Sequence, residues 1–527
     1  MNISDRITLI DYSVVVVYLL IVFGYGMSVS YRRRNSQDLF LGGRSLGWFP
    51  IGMSIFSTNV SPSFLVATFG LSYSIGMVGA NFEWLAWVFL FLLAMLFAPH
   101  YLRTNITTMP EFLGMRYGPG CRTFLSWYAL FTTLCLWIGG TLYTGGLILS
   151  QILGWPVLLC VMILCLISVI IAVSGGLVTI ALTDQFQTAV MIIASAWMTF
   201  VGLYKVGGVE KLIESVPADF WVLLRPASDK EYPWHAILLG YPVLGIWFWC
   251  TDQTIVQRVL GARTIVQGQA GCAWAAYLKI LTPLIFFVPG IMCRILNPDI
   301  QDTNQAYLTM VTRNMPIGAI GIVVAIMLSA LIGTTSSGLN SFSTLFTNDI
   351  YSKFSKSGSG NTKSIGRIMM IIAALLSIVV AMGFNYVSRY MDLFSIFQSM
   401  LGFFAPSMAA VFLIGILWSG ATPRAGFLTL VIGTAVSISM GVFYLFIFPK
   451  AAWWPHFLML SFYLFAACCC FEIIVSLFTT PLPKDKQLEQ VSLLYFKQTS
   501  NKWIWLIWAF ICLVMIGIYL LFNRVFW

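Results

Sequence analysis

Charge is scarce in this chain of 527 residues: 9% are Asp, Glu, Lys or Arg, against 59% that are hydrophobic. A fold that presents most of its surface to water is excluded by that balance. Histidine is rarer still, at three, and none of the eleven cysteines stands with one at metal-ligand spacing. A zinc site and a disulfide frame therefore drop out together, the cysteines lying mostly inside apolar runs. Strict apolar–polar alternation is missing, which rules out a transmembrane barrel. There is no nucleophile triad, metal cluster or appended signalling segment, so a membrane enzyme or sensor is only a remote alternative. The net charge of +10 is a feature of topology and the inner leaflet, with nothing to suggest nucleic acid.

What fills the chain is hydrocarbon. About fourteen apolar segments are long enough to cross a core of ~30 Å. They lie near 10–31, 47–71, 77–99, 123–152, 156–174, 180–204, 236–257, 268–293, 317–350, 364–388, 395–419, 424–448, 455–479 and 503–523. The chain reads as an all-α integral membrane protein. Its first segment is span-length and is followed by Arg32, Arg33 and Arg34, so it is expected to stay as a leading helix. Placing that arginine loop in the cytoplasm leaves about 18 Lys and Arg inside and about 10 outside, with Lys279 within a span. Both termini are then expected outside a plasma (inner) membrane.

Polarity inside these spans is concentrated in a few places. The stretch Ser329–Ile350 carries a hydroxyl at almost every turn, and Ala330, Gly333, Thr334 and Ser337 share one helical face. Such oxygens suit a hard monovalent cation; the alternative is a close-packed helix–helix seam. Span 2 reads S-I-F-S-T-N-V-S-P-S-F-L, and Pro62 predicts a break, because it has no N–H and clashes with the carbonyl near Thr58. A Pro-kinked packing helix is the alternative. Glu83 in span 3 and Lys279 in span 8 are ionisable groups in apolar surroundings, costly unless each finds a partner or water. Span 4 contains Tyr143, Thr144 and several glycines but no Arg or Lys, so it offers no fixed partner for an anionic substrate. Asp184 either caps the helix of span 6 or lends negative charge to a cation. Arg116 and Glu111 in the loop M-P-E-F-L-G-M-R-Y-G are expected to be structural.

Span 7, G-I-W-F-W-C-T-D-Q-T-I-V-Q-R, has a polar midpoint at Asp252 behind an aromatic cluster, and so resembles span 2 five spans earlier. That spacing hints at an inverted repeat, spans 2–6 matching 7–11, with interrupted first helices paired across a pseudo-two-fold axis. The division expected is a leading helix over 1–46, a core over 47–419 with repeats about 47–206 and 236–419, and peripheral helices over 420–527.

Several longer motifs, in order, resemble the sodium:solute symporter family and within it the sodium/sugar cotransporter branch. They are D-L-F-L-G-G-R-S-L-G-W (38–48), the M-P-E-F-L loop, G-G-L…T-D-Q-F-Q-T, W-F-W-C-T-D-Q-T-I-V-Q-R, the Thr334–Tyr351 stretch and A-T-P-R-A-G. The resemblance covers nearly the whole chain and implies a LeuT-like 5+5 inverted-repeat core. It implies sodium as the co-transported ion, held by backbone oxygens of Ser57 and Val60 with Ala330, Gly333 and Thr334. Here Gly333 stands where many members carry serine. A second sodium would use Asp184, Ser336 and Ser337. The implied solute positions are Asn59, Glu83, Lys279 and Gln398, with Phe248 and Trp249 as gate and platform; Phe64 replaces a frequently polar position. The expected function is sodium-coupled symport of a neutral polyhydroxylated solute such as glucose or galactose, by alternating access. Myo-inositol, a nucleoside, an amino-sugar or sialic acid is the alternative cargo, sialic acid being disfavoured by the missing span-4 arginine. Partners beyond solute, sodium and lipid are not expected.

Overall fold

With no water in a bilayer core, each backbone N–H and C=O must be bonded within its own segment, and a chain this apolar has helix as its solution. The computed structural model describes residues 8–32, 44–60, 62–229, 231–301, 303–316, 318–351, 362–388, 393–447, 453–480 and 501–524, with backbone alone at 174–188 and at some helix ends. Among these residues nothing more extended than two isolated β-bridges occurs. Among the described residues ten helices are long and apolar enough to cross a membrane, and Leu9–Ile21, Val157–Val173 and Ala236–Thr251 are shorter apolar helices.

Among the described residues, the two helices that the sequence marks are broken. The first has arms Trp48–Asn59 and Pro62–Ile75, interrupted at Val60, whose ψ of 66° is not helical. The second has arms Ala236–Thr251 and Gln253–Leu260, interrupted at Asp252 with φ −70° and ψ 127°. Against both pack the lysine helix Ile265–Leu296 and the hydroxyl-rich helix Ala319–Leu345. The hydroxyl-rich helix is buried along almost its whole length, which places it at the centre of the bundle.

Three features depart from the sequence reading. Spans 5 and 6 are expected as separate segments near 156–174 and 180–204; instead Val157–Val206 is one run of 50 helical residues. It cannot be straight. Ser336 Oγ donates to Ser168 O, while Ser195 shares a small void with Val323 and Ile326. A straight helix would set Ser168 and Ser195 about 40 Å apart, whereas Ile326 and Ser336 are about 15 Å apart along theirs. The chain bends back between the two contacts.

The leading helix Leu9–Arg32, bland in sequence, is anchored by Asp11. Its fully buried carboxylate accepts from Gly318 N at 2.8 Å and Gly321 N at 2.9 Å, and from Thr8. These are orphan amides at the start of the hydroxyl-rich helix, where negative charge is favoured. Gly318 adopts φ +86°, and a Cβ on Gly321 would meet Asp11 O at 2.6 Å. The late helices are also more than a rim. The hydroxyl of Tyr117 lies 2.6 Å from Glu472 Oε1 in Phe457–Leu477.

Arg116 and Glu111 are structural, as expected. Arg116 donates to Gly415 O at 2.7 Å, Trp418 O at 2.8 Å and Ala421 O at 3.0 Å, closing the end of Leu393–Leu417. Glu111 accepts from Thr107 N, and Thr108 accepts from Glu111 N, a reciprocal helix start.

Candidate functional site

The site is built where the two breaks meet. Pro62 offers no N–H, so Thr58 C=O has no donor four residues on. At the second break, Asp252 caps the following arm: its Oδ1 accepts from Thr254 N at 2.8 Å and its Oδ2 from Trp137 Nε1 at 3.1 Å. The carboxylate's charge is thus met by a helix N-terminus and an indole. Just before it, Ile246–Thr251 is wound as a π-turn, a widening that occurs often at functional positions.

Between the breaks lies a cavity of about 140 Å³. Six of the seven residues expected to meet solute line it: Asn59, Phe64, Glu83, Phe248, Trp249 and Gln398. Lys279, the seventh, stands at the wall, 1% exposed. Its ammonium donates to Glu83 Oε2 at 2.5 Å and to Asn59 Oδ1. Phe56 and Trp249 lie with their ring centres 5.4 Å from it and Phe64 at 6.0 Å, within range for cation–π attraction. The ammonium and carboxylate cancel, so the wall carries directed hydrogen-bonding groups without net charge. Phe248 lies against Trp137 at 5.3 Å and crosses Trp249 edge-on at 4.9 Å.

The residues implied for the cation lie on two helices that a buried arginine joins. Arg258, 1% exposed, donates to Ser54 Oγ at 3.0 Å and to Ser337 Oγ at 2.7 Å. It therefore ties the first arm of the broken helix to the hydroxyl-rich helix. Ser57 stands one turn on from Ser54, and Thr334 one turn before Ser337. Val60, Ala330 and Thr334 are all buried, and Thr334 Oγ1 has no hydrogen-bond partner. A buried hydroxyl without a partner is disfavoured, and here it is an oxygen where a cation would need one. Gly333 sits beside it.

Of the second-cation group, Ser336 donates to Ser168 O at 3.0 Å and Ser337 accepts from Arg258. Asp184 lies in the stretch whose side chains are outside the description, as do 38–43 of the first motif.

Sequence reasoning missed Trp137, Thr141 and Tyr241, which line the cavity, and Arg258. Span 4 betrays itself only by small and polar residues, and Tyr241 is one aromatic among many. Arg258 is only the last residue of the span-7 motif in sequence, yet it is a buried tie.

The cavity lies against Pro62–Ile75 and Ala236–Thr251. At the opposite ends, Leu46 N donates to Gly261 O and Arg263 N to Leu46 O, each at 3.0 Å, stitching the remaining arms together. Gln257 bonds Ser341 and Thr344, and Arg122 pairs with Asp349 at 2.7 Å.

Comparison with known proteins agrees with this architecture. Residues 39–433 match the model of the sodium:solute symporter family. Sodium/glucose cotransporter 1 of Oryctolagus cuniculus is 30% identical, the match covering 90% of this chain and 79% of that protein. The sodium/glucose cotransporter of Vibrio parahaemolyticus is 29% identical over 84% of this chain and 86% of its own. Among solved structures, a substrate-bound, outward-open Na+-coupled sialic acid symporter has a TM-score of 0.78 at 21% identity, covering 90% of this chain and 99% of that one. Mhp1, a nucleobase-cation-symport-1 family transporter, scores 0.53 at 13% identity, covering 84% of this chain and 95% of that one. At those identities the structures speak for the fold, which is LeuT-like. Matched by the family model over most of its length and laid out around two broken helices, the chain belongs to the sodium:solute symporter family.

Proposed function

We propose that this protein is a secondary transporter that couples inward sodium movement to uptake of a neutral polyhydroxylated solute, a monosaccharide of the glucose or galactose kind. The observation that carries the reading is the buried Lys279–Glu83–Asn59 cluster in the cavity wall. Directed donors and acceptors of this kind select hydroxyls and reject analogues lacking them, and the aromatic lining suits the apolar faces of a sugar ring. A neutral wall gives an anion no fixed counter-charge. The sodium/glucose cotransporters among the sequence relatives favour glucose in the same sense.

Sodium binds between Ser57, Val60, Ala330, Gly333 and Thr334 and holds the hydroxyl-rich helix against the broken one. That shapes the outward-facing solute site of the cycle. Coupling follows because both ligands favour the same state, and a ligand shifts only what it binds differentially. Inward opening parts the tie at Arg258, and sodium leaves first. A second ion at Asp184, Ser336 and Ser337 belongs to the same scheme. The layout in the plasma membrane is a leading helix over 1–46, repeats about 47–206 and 236–419, and C-terminal helices over 420–527, with both termini outside.

Uptake of radiolabelled d-glucose into proteoliposomes tests this. It is expected to need sodium and to fail in choline; equal uptake in choline would remove the coupled reading. Competition with galactose, myo-inositol, a nucleoside and sialic acid fixes the solute class. Gln398→Ala, which deletes a cavity hydrogen-bonding group, is expected to raise the half-saturating sugar concentration about tenfold and to leave sodium dependence in place.

A further inference from the structure

The last helix, Lys502–Arg524, leaves most of its side chains at the periphery of the bundle. A tyrosine hydroxyl on such a helix is costly in lipid unless it finds a partner. The hydroxyl of Tyr519 finds one: it donates to Asn81 Oδ1 at 2.7 Å. Asn81 is fully buried, and its Nδ2 donates at 2.7 Å both to Val78 O and to Leu223 O. Every polar group of that carboxamide is therefore used. It fixes the point where the 3₁₀ turn Gly76–Ala80 passes into the short helix carrying Glu83 two residues later.

One turn along the terminal helix, Phe522 lies 5.2 Å from the Trp84 ring, and Trp84 Nε1 donates to Ile280 O at 3.1 Å, beside Lys279. Tyr519 and Phe522 are three residues apart and so share a face. From that face they brace the neighbours of both members of the ion pair.

We propose that Tyr519 is a positioning residue for the solute site: the terminal helix sets where Glu83 stands relative to Lys279. The inference rests on the reading of the cavity as the solute site. Tyr519 touches no solute; it acts through Asn81 on affinity and leaves the rate of the conformational cycle alone.

Tyr519→Phe removes one hydroxyl and keeps the ring. The half-saturating d-glucose concentration is expected to rise about three- to tenfold, with maximal uptake and sodium half-saturation unchanged. Asn81→Ala should act in the same sense, and the double variant should be no worse than the worse single one, because the two act through one bond. Phe510→Leu, on an exposed part of the same helix, should change nothing.

Hydrogen exchange read by mass spectrometry supplies a measurement independent of the solute. Y519F should speed exchange at the amides of 76–85 and nowhere else. Phe522→Leu should give the same pattern more weakly, and it serves if Y519F is poorly expressed. A wild type that takes up no d-glucose, with the exchange change present, refutes the sugar reading alone. Unaltered exchange at 76–85, or additive losses in the double variant, overturns the role of Tyr519.

Discussion

Lys279→Met should abolish solute uptake, by more than about a hundredfold, and lower the melting temperature of the purified protein. The double variant Glu83→Gln/Lys279→Met should recover most of the stability and none of the uptake. The reason lies in burial: Lys279 and Glu83 are each 1% exposed and 2.5 Å apart. Removing the ammonium leaves a carboxylate with no counter-charge in a low-dielectric wall, a loss of about 3–5 kcal/mol. Replacing both members with neutral groups of similar size removes that penalty, and such replacements are often close to neutral. The donors and acceptors that would orient a sugar are still gone. Stability and transport therefore separate in a way that a merely structural ion pair would not allow. Uptake and thermal unfolding on the same preparations decide it; a double variant that transports at wild-type rate would take the cluster out of the solute site.

Thr334→Ala should be nearly silent for stability in sodium-free buffer and severe for sodium. Its hydroxyl is buried with no protein partner, so deleting it breaks no internal hydrogen bond. As an ion ligand the same oxygen is worth about 1.5–3 kcal/mol, a tenfold to hundredfold rise in half-saturating sodium. Sodium should raise the melting temperature of the wild type, because an ion that binds only the folded state stabilises it by mass action. In Thr334→Ala that rise should vanish over the same concentration range. A variant that unfolds early without sodium, or one still stabilised like wild type, would contradict the assignment.

How much of this was legible beforehand varies residue by residue. The first break could be read because Pro62 has no N–H, a local fact of covalent structure. The break at Asp252 left a polar patch in an apolar span, and its chemistry, a helix cap, was also local. That Glu83 and Lys279 needed partners followed from their charge. That they partner each other, 196 residues apart in sequence, is encoded by no periodicity, and the resemblance implied only that both meet solute.

Other residues were mute. Trp137 and Tyr241 look like any membrane aromatic until the cavity gives them a side. Asp11 sits at the lip of an unremarkable helix, and its burial depends on Gly318 and Gly321 three hundred residues away. The curved run Val157–Val206 was read as two helices with a joint, because Gly175, Gly176 and Asp184 are punctuation marks in local chemistry that tertiary packing overrode.

The carboxylate of Asp11 has one further consequence. It holds two backbone amides of the neighbouring helix across a gap so narrow that Gly321 can bear no side chain, and detaching it would strand a charge away from water. The two helices are therefore yoked. Any tilt of the hydroxyl-rich helix is also a tilt of its outer companion, and the belt of lipid around that companion has to yield with it.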